Sequence, residues 1–194
     1  MNLYKRYPQL NICEKDIESA LLFMIETYKK GGKILVCGNG GSSADADHIV
    51  GELMKGFLKK RKVNDERIPL GLRENLQGAL PAISLSAHAS LMTATMNDND
   101  ADMVFAQQVY GYVKDNDLLI AISTSGNSKN VVNAVKVAKA LNVKAIALTG
   151  EMGGMLKDLA DVTICVPATE TYEIQEYHLP IYHYLCAKVE EEIF

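Results

Sequence analysis

At 194 residues, with 48% hydrophobic and 23% charged side chains, the chain has the material for one cored domain over 1–194 and not the composition of a disordered polymer. A formal net charge of −4 and a pI near 5.6 argue against a nucleic-acid-binding face, and no apolar run approaches the ~20 residues that cross a bilayer. Cys13, Cys37, Cys165 and Cys186 are scattered without a CxxC pair, and no signal stretch precedes the first amphipathic segment, so reduced thiols and a cytoplasmic location are expected.

From Cys13 to Lys30, apolar residues recur at Ile17, Ala20, Leu21, Met24 and Tyr28, a helical spacing that stops at Gly31-Gly32, where glycine suits a left-handed cap. Short apolar runs follow at Ile34–Cys37, Leu80–Leu85, Leu118–Ser123, Ala145–Thr149 and Val162–Val166, separated by helical patterns such as Ser128–Leu141 with Ser128 as N-cap. Alternating strands and helices require crossovers. The expected fold is therefore α/β, a doubly wound, mostly parallel five-stranded sheet flanked by helices, with helical N- and C-terminal segments. Between the first two strands, 59–78 has no steady periodicity and reads as a long loop holding a short helical piece, of the kind that serves as lid or interface. Its cluster Lys59-Lys60-Arg61-Lys62 is followed at once by Asp65 and Glu66 and reads as a solvated loop.

Ligands of such sheets bind outside the carboxyl ends of the strands, and two turns sit there. Cys37-Gly38-Asn39-Gly40-Gly41-Ser42-Ser43 leaves one strand and enters a helix; Ser123-Thr124-Ser125-Gly126-Asn127-Ser128 does the same after another. The second offers hydroxyl donors beside a helix N-terminus, which suits phosphate oxygens. Neither a GK[ST] phosphate loop nor GxGxxG spacing is present, so the phosphate belongs to a substrate rather than to ATP or NAD.

On the helix opened by the glycine turn, His48 and Glu52 are four apart and share a face. In the C-terminal segment, Gln175 and His183 lie about 80° apart around a helix and can converge on one point. His178 falls on the far side of Gln175 and reads as a packed or hydrogen-bonded histidine, and Pro180 is expected to kink this helix by freeing the carbonyl of Glu176.

The ordered set GNGGS, His48-Ile-Val-Gly-Glu52, Asn97-Asp98, STSGNS, Leu148-Thr149-Gly150 with Gly153-Gly154, and Ile174-Gln175-Glu176 with His183 resembles the phosphoheptose isomerases, a family of sugar-isomerase (SIS) domain proteins, over nearly the whole chain. The resemblance implies interconversion of sedoheptulose 7-phosphate and D-glycero-D-manno-heptose 7-phosphate. It implies a phosphate held by Ser123, Thr124, Ser125 and Ser128, a sugar lined by Asn39, Gly40, Gly41, Ser42, Asn97, Asp98 and Gln175, and Glu52 with His183 as the acid–base pair. It further implies one zinc ion per subunit, held by His48, Glu52, Gln175 and His183, and a homotetramer in which the first and last amphipathic helices meet between subunits. The alternatives are a non-enzymatic SIS sugar-phosphate sensor or replication-initiation regulator, and an isomerase of a different ketose phosphate. The filled acid–base positions favour an enzyme over the first.

Overall fold

The structure is a computed structural model and describes residues 2–194. Helix α1 (Leu3–Arg6) and a short 3-10 turn lead into α2 (Glu14–Lys29), and β1 (Ile34–Gly38) follows. Next come α3 (Gly41–Met54), α4 (Leu70–Arg73), β2 (Ala82–Ser84), α5 (Ala89–Asp98) and α6 (Val104–Tyr112). The chain continues through β3 (Leu118–Ile122), α7 (Lys129–Ala140), β4 (Lys144–Thr149), α8 (Leu156–Leu159), β5 (Val162–Cys165) and α9 (Thr171–Ile193). All four strand pairings are parallel, in the order β2-β1-β3-β4-β5. The direction of winding reverses between β1 and β3, so that pair is the switch point, where a crevice opens at the carboxyl ends.

Strands β1, β3 and β4 each feed two cores because successive side chains point to opposite faces. Ile34, Val36, Leu118, Ile120, Ile122, Ile146 and Leu148 pack against α2, α3 and α9, while Leu35, Cys37, Leu119, Ala121, Ala145 and Ala147 pack against α6 and α7. Near-continuous apolar strands are what a sheet covered on both faces demands. The elements match the expected layout, with β2 shorter than the apolar run around it. Leu80 donates its N–H to Leu53 O and Pro81 contributes only a carbonyl, to Ile34 N–H, so pairing starts at Ala82.

Two local readings are corrected. Ser128 sits at the N-cap of α7, but its side chain makes no capping bond; its hydroxyl accepts from Ser123 Oγ at 3.0 Å instead. Lys59, Lys60 and Lys62 of the basic cluster are exposed as expected, but Arg61 is buried. Its Nε donates to Glu190 Oε1 at 2.7 Å, Nη1 to Leu53 O at 2.6 Å and Nη2 to Glu52 O at 3.2 Å, so it pins the long loop beneath the end of α3. That loop does hold a short helix, α4. Helix α9 continues unbroken through Pro180. No helix among the described residues is long and apolar enough to cross a membrane, and the four cysteines are free thiols.

Candidate active site

The glycine turn ends β1 and the serine turn ends β3, so the two anion-suited segments lie side by side at the switch point. Gly40, at φ 57°, takes a left-handed backbone that turns the chain from strand to helix within two residues, and a side chain there would be strained. Across the crevice, Asn39 and Asn130 exchange two amide hydrogen bonds of 2.9 Å, which lock the glycine turn to the first turn of α7.

Between the turns is a cavity of about 280 Å³ lined by Asn39, Gly40, Gly41, Ser42, Ile122, Ser123, Thr124, Ser128, Thr171 and Gln175. Ser42, Ser123, Thr124, Ser128 and Thr171 bring hydroxyls to its lining. Val131 N–H at the start of α7 is taken by Asn130 Oδ1 at 3.0 Å, while the N–H groups before it have no intrahelical acceptor, and the positive end of that helix adds to the field. The cavity can therefore take an anion without a cationic side chain of its own. Ser125 lies at an adjoining depression with Thr124 and Asn127, its Oγ accepting from Asn127 N–H at 3.2 Å. Asn97 and Asp98 end α5, bonded to each other at 2.8 Å, and do not line the cavity.

Gln175 carries the wall toward the second group of residues. Two turns farther along α9, His183 meets α3: its Nε2 is 3.3 Å from His48 Nε2, and His48 Nε2 is 3.2 Å from Glu52 Oε1. One ligand-type atom from each of His48, Glu52 and His183 lies within 4.8 Å of the others. Two imidazoles and a carboxylate at such separations suit a first-row dication. Glu52 Oε2 is buried with no hydrogen-bond partner, and Lys55 Nζ stands off at 3.8 Å. Burial and the neighbouring His48 push the His183 pKa below the ordinary imidazole value, against the pull of Glu52, so its ring is neutral at physiological pH. The Phe57 ring, 5.5 Å from that of His183, screens one side.

Two further residues complete the cluster, and the sequence patterns pointed to neither. Tyr182, 2% exposed, places its hydroxyl 3.1 Å from Asp45 Oδ1 and 3.0 Å from His48 Nδ1. Asp45 precedes His48 by three residues and so shares its face of α3, a spacing that was readable; the tyrosine across from it was not. Burial raises the pKa of Asp45, opposed by the Tyr182 bond, and burial also raises that of Tyr182. His178 is elsewhere, fully buried with Nε2 3.3 Å from Thr149 O, a packed histidine as its position on the helix indicated.

The family model for the SIS domain matches residues 10–150. A phosphoheptose isomerase of a Nitratiruptor species is 44% identical over 175 residues, 90% of this chain and 85% of that protein. One of Campylobacter jejuni is 42% identical over 180 residues, 93% and 88% of the respective chains. Among solved structures, phosphoheptose isomerase GmhA from Neisseria gonorrhoeae superposes with a TM-score of 0.81 at 34% identity, covering 96% of this chain and 91% of its own. A phosphoheptose isomerase from Francisella tularensis gives 0.82 at 33% identity with the same coverage.

Proposed function

This chain belongs to the SIS-domain family and, within it, to the phosphoheptose isomerases, and from that premise we propose that it interconverts sedoheptulose 7-phosphate and D-glycero-D-manno-heptose 7-phosphate through an enediol. The observation that carries the reading is the meeting of α3 and α9, which sets the Glu52 carboxylate and the His183 ring beside a hydroxyl-walled anion cavity.

The phosphate occupies the serine turn, held by Ser123, Thr124, Ser125 and Ser128, and the sugar chain runs past Asn39, Gly40, Gly41, Ser42 and Gln175 toward Glu52. Glu52 takes a proton from C1 of the ketose while His183 protonates the C2 oxygen, giving the enediol. His183 then withdraws the O1 proton as Glu52 returns a proton to C2, and the aldose results. His183 gives one proton to the C2 oxygen and recovers one from O1, so the ring ends as it began and one imidazole serves both oxygen transfers. Glu52 Oε2, buried and unpartnered, is the oxygen we assign to the carbon-bound proton.

His48, Glu52 and His183, with Gln175, would hold one zinc ion per chain, and their nitrogen and oxygen donors fit it. When bound, zinc supplies Lewis-acid polarisation of the sugar oxygens. We further take the protein to act in the cytoplasm, in keeping with its free thiols, and to assemble as a homotetramer. The exposed Ile12 and Leu22 at the start of the chain and Tyr172 and Leu179 on α9 are the apolar faces such an assembly would cover.

The test is an isomerase assay of purified protein across C5–C7 ketose phosphates, with and without added zinc and after chelation. Turnover of the seven-carbon substrate above all others supports the reading. Preference for a shorter ketose phosphate would reassign the substrate, and no turnover of any would favour the sensor reading.

A further inference from the structure

His48 is held from both sides, and the two sides compete for its proton. We propose that Asp45 and Tyr182 are positioning residues that hold His48 as the Nδ1–H tautomer, turning an Nε2 lone pair toward Glu52 and His183. The inference rests on the metal reading above and deepens it.

A phenol has one proton to donate. Tyr182 Oη lies 3.1 Å from Asp45 Oδ1 and 3.0 Å from His48 Nδ1, and an ionised carboxylate can only accept. The phenol proton therefore goes to Asp45, the charge-assisted and stronger bond, and Oη is left to accept from His48 Nδ1–H. A neutral imidazole carries one N–H, so Nε2 is bare. That nitrogen faces Glu52 Oε1 at 3.2 Å and His183 Nε2 at 3.3 Å. Two acceptors brought this close are reconciled by a cation between them, and this is the role the donor set suits.

The packing leaves Tyr182 little freedom. Its ring is buried and stands edge-on to both histidines, 5.4 Å from His48 at 71° and 5.0 Å from His183 at 79°. One residue on α9 thus sets the orientation of a ligand on α3. Without it, Glu52 is the remaining strong acceptor on the ring, and the proton moves to Nε2, where it blocks the lone pair.

The chain has four histidines, so nitrogen-15 histidine spectra of metal-free protein can be assigned by the loss of one set in His48→Ala. In the native protein, His48 should show a protonated Nδ1 and an unprotonated Nε2. Tyr182→Phe should shift the ring toward Nε2–H and weaken zinc binding by at least about tenfold in a competition titration, the usual scale for an outer-shell partner. Asp45→Asn, which keeps the shape and removes the charge, should move both readouts the same way and serves if the tyrosine variant does not fold. A native Nε2–H tautomer, or unchanged tautomer and zinc affinity in both variants, would overturn the inference. Should the native protein take up no zinc, the metal reading fails, and the metal-free spectra still decide the role of Asp45 and Tyr182.

Discussion

Arg61 and Glu190 form an ion pair of 2.7 Å with both side chains out of water, joining the long loop to the last turns of α9. Glu190 also accepts from the N–H groups of Phe57, Leu58 and Lys59, and Arg61 donates to the carbonyls of Glu52 and Leu53. Removing one partner leaves a buried charge and bare carbonyls at the end of the helix that carries Glu52. Arg61→Met should cost about 3–5 kcal/mol, seen as a fall in melting temperature on the order of 10 °C. A shift of a degree or two would mean the pair is dispensable.

For the chemistry itself, Glu52→Gln and His183→Asn should each lower kcat by at least about a hundredfold, the scale of general acid–base groups. Circular dichroism and light scattering should show fold and assembly retained. A near-native rate in either variant removes that residue from the mechanism.

Phosphate selection is separable from turnover. Ser128→Ala deletes a cavity hydroxyl and the acceptor for Ser123 Oγ, and should raise KM more than it lowers kcat, since phosphate holding is uniform binding. Sedoheptulose without its phosphate should neither bind nor react, and calorimetry showing comparable affinities for the two sugars would contradict the cavity assignment.

Gly41 tests the wall. A Cβ built there would stand 2.5 Å from Gln175 Nε2, so Gly41→Ala must push the Gln175 side chain away from its place. With the neighbour a flexible side chain, the fold should survive while KM rises about five- to tenfold, the worth of one hydrogen bond. Unchanged kinetics would mean that Gln175 does not contact substrate.

His178 gives the protein a pH-dependent term. Burial pushes its pKa down to about 4, against the hydrogen bond to Thr149 O, so the unfolded chain binds a proton that the folded chain refuses. The stability it allows is complete above about pH 6.5, the unfolded value, and is lost as pH falls toward the folded one; the full shift is worth roughly 3 kcal/mol. Urea midpoints at pH 7 and at pH 4.5 should therefore converge more closely in His178→Leu than in the native protein. Equal acid sensitivity of the two would assign the effect elsewhere.

The order of elements was legible because helical and strand periodicities are local, and Gly31, Gly40 and the serine turn mark chain reversals by their own chemistry. His48 with Glu52, and Gln175 with His183, could each be placed on one face from spacing alone, since both pairs lie within a helix. Arg61 defeated that reasoning. Among lysines and before two acids it has the local signature of a solvated residue, and only the approach of Glu190, 129 positions later, makes its burial affordable.

By itself, then, the sequence determined the doubly wound class, the two anion-suited turns and the residue types of the site, all properties of short windows. Tertiary structure alone decided that Asn39 would clasp Asn130, that Tyr182 would lie between Asp45 and His48, and that Asn97 and Asp98 would stand outside the cavity. Periodicity tells which side of an element faces inward. It does not tell which residue of a distant element meets it, because that depends on strand order and on how α3 and α9 pack against each other on the same face of the sheet.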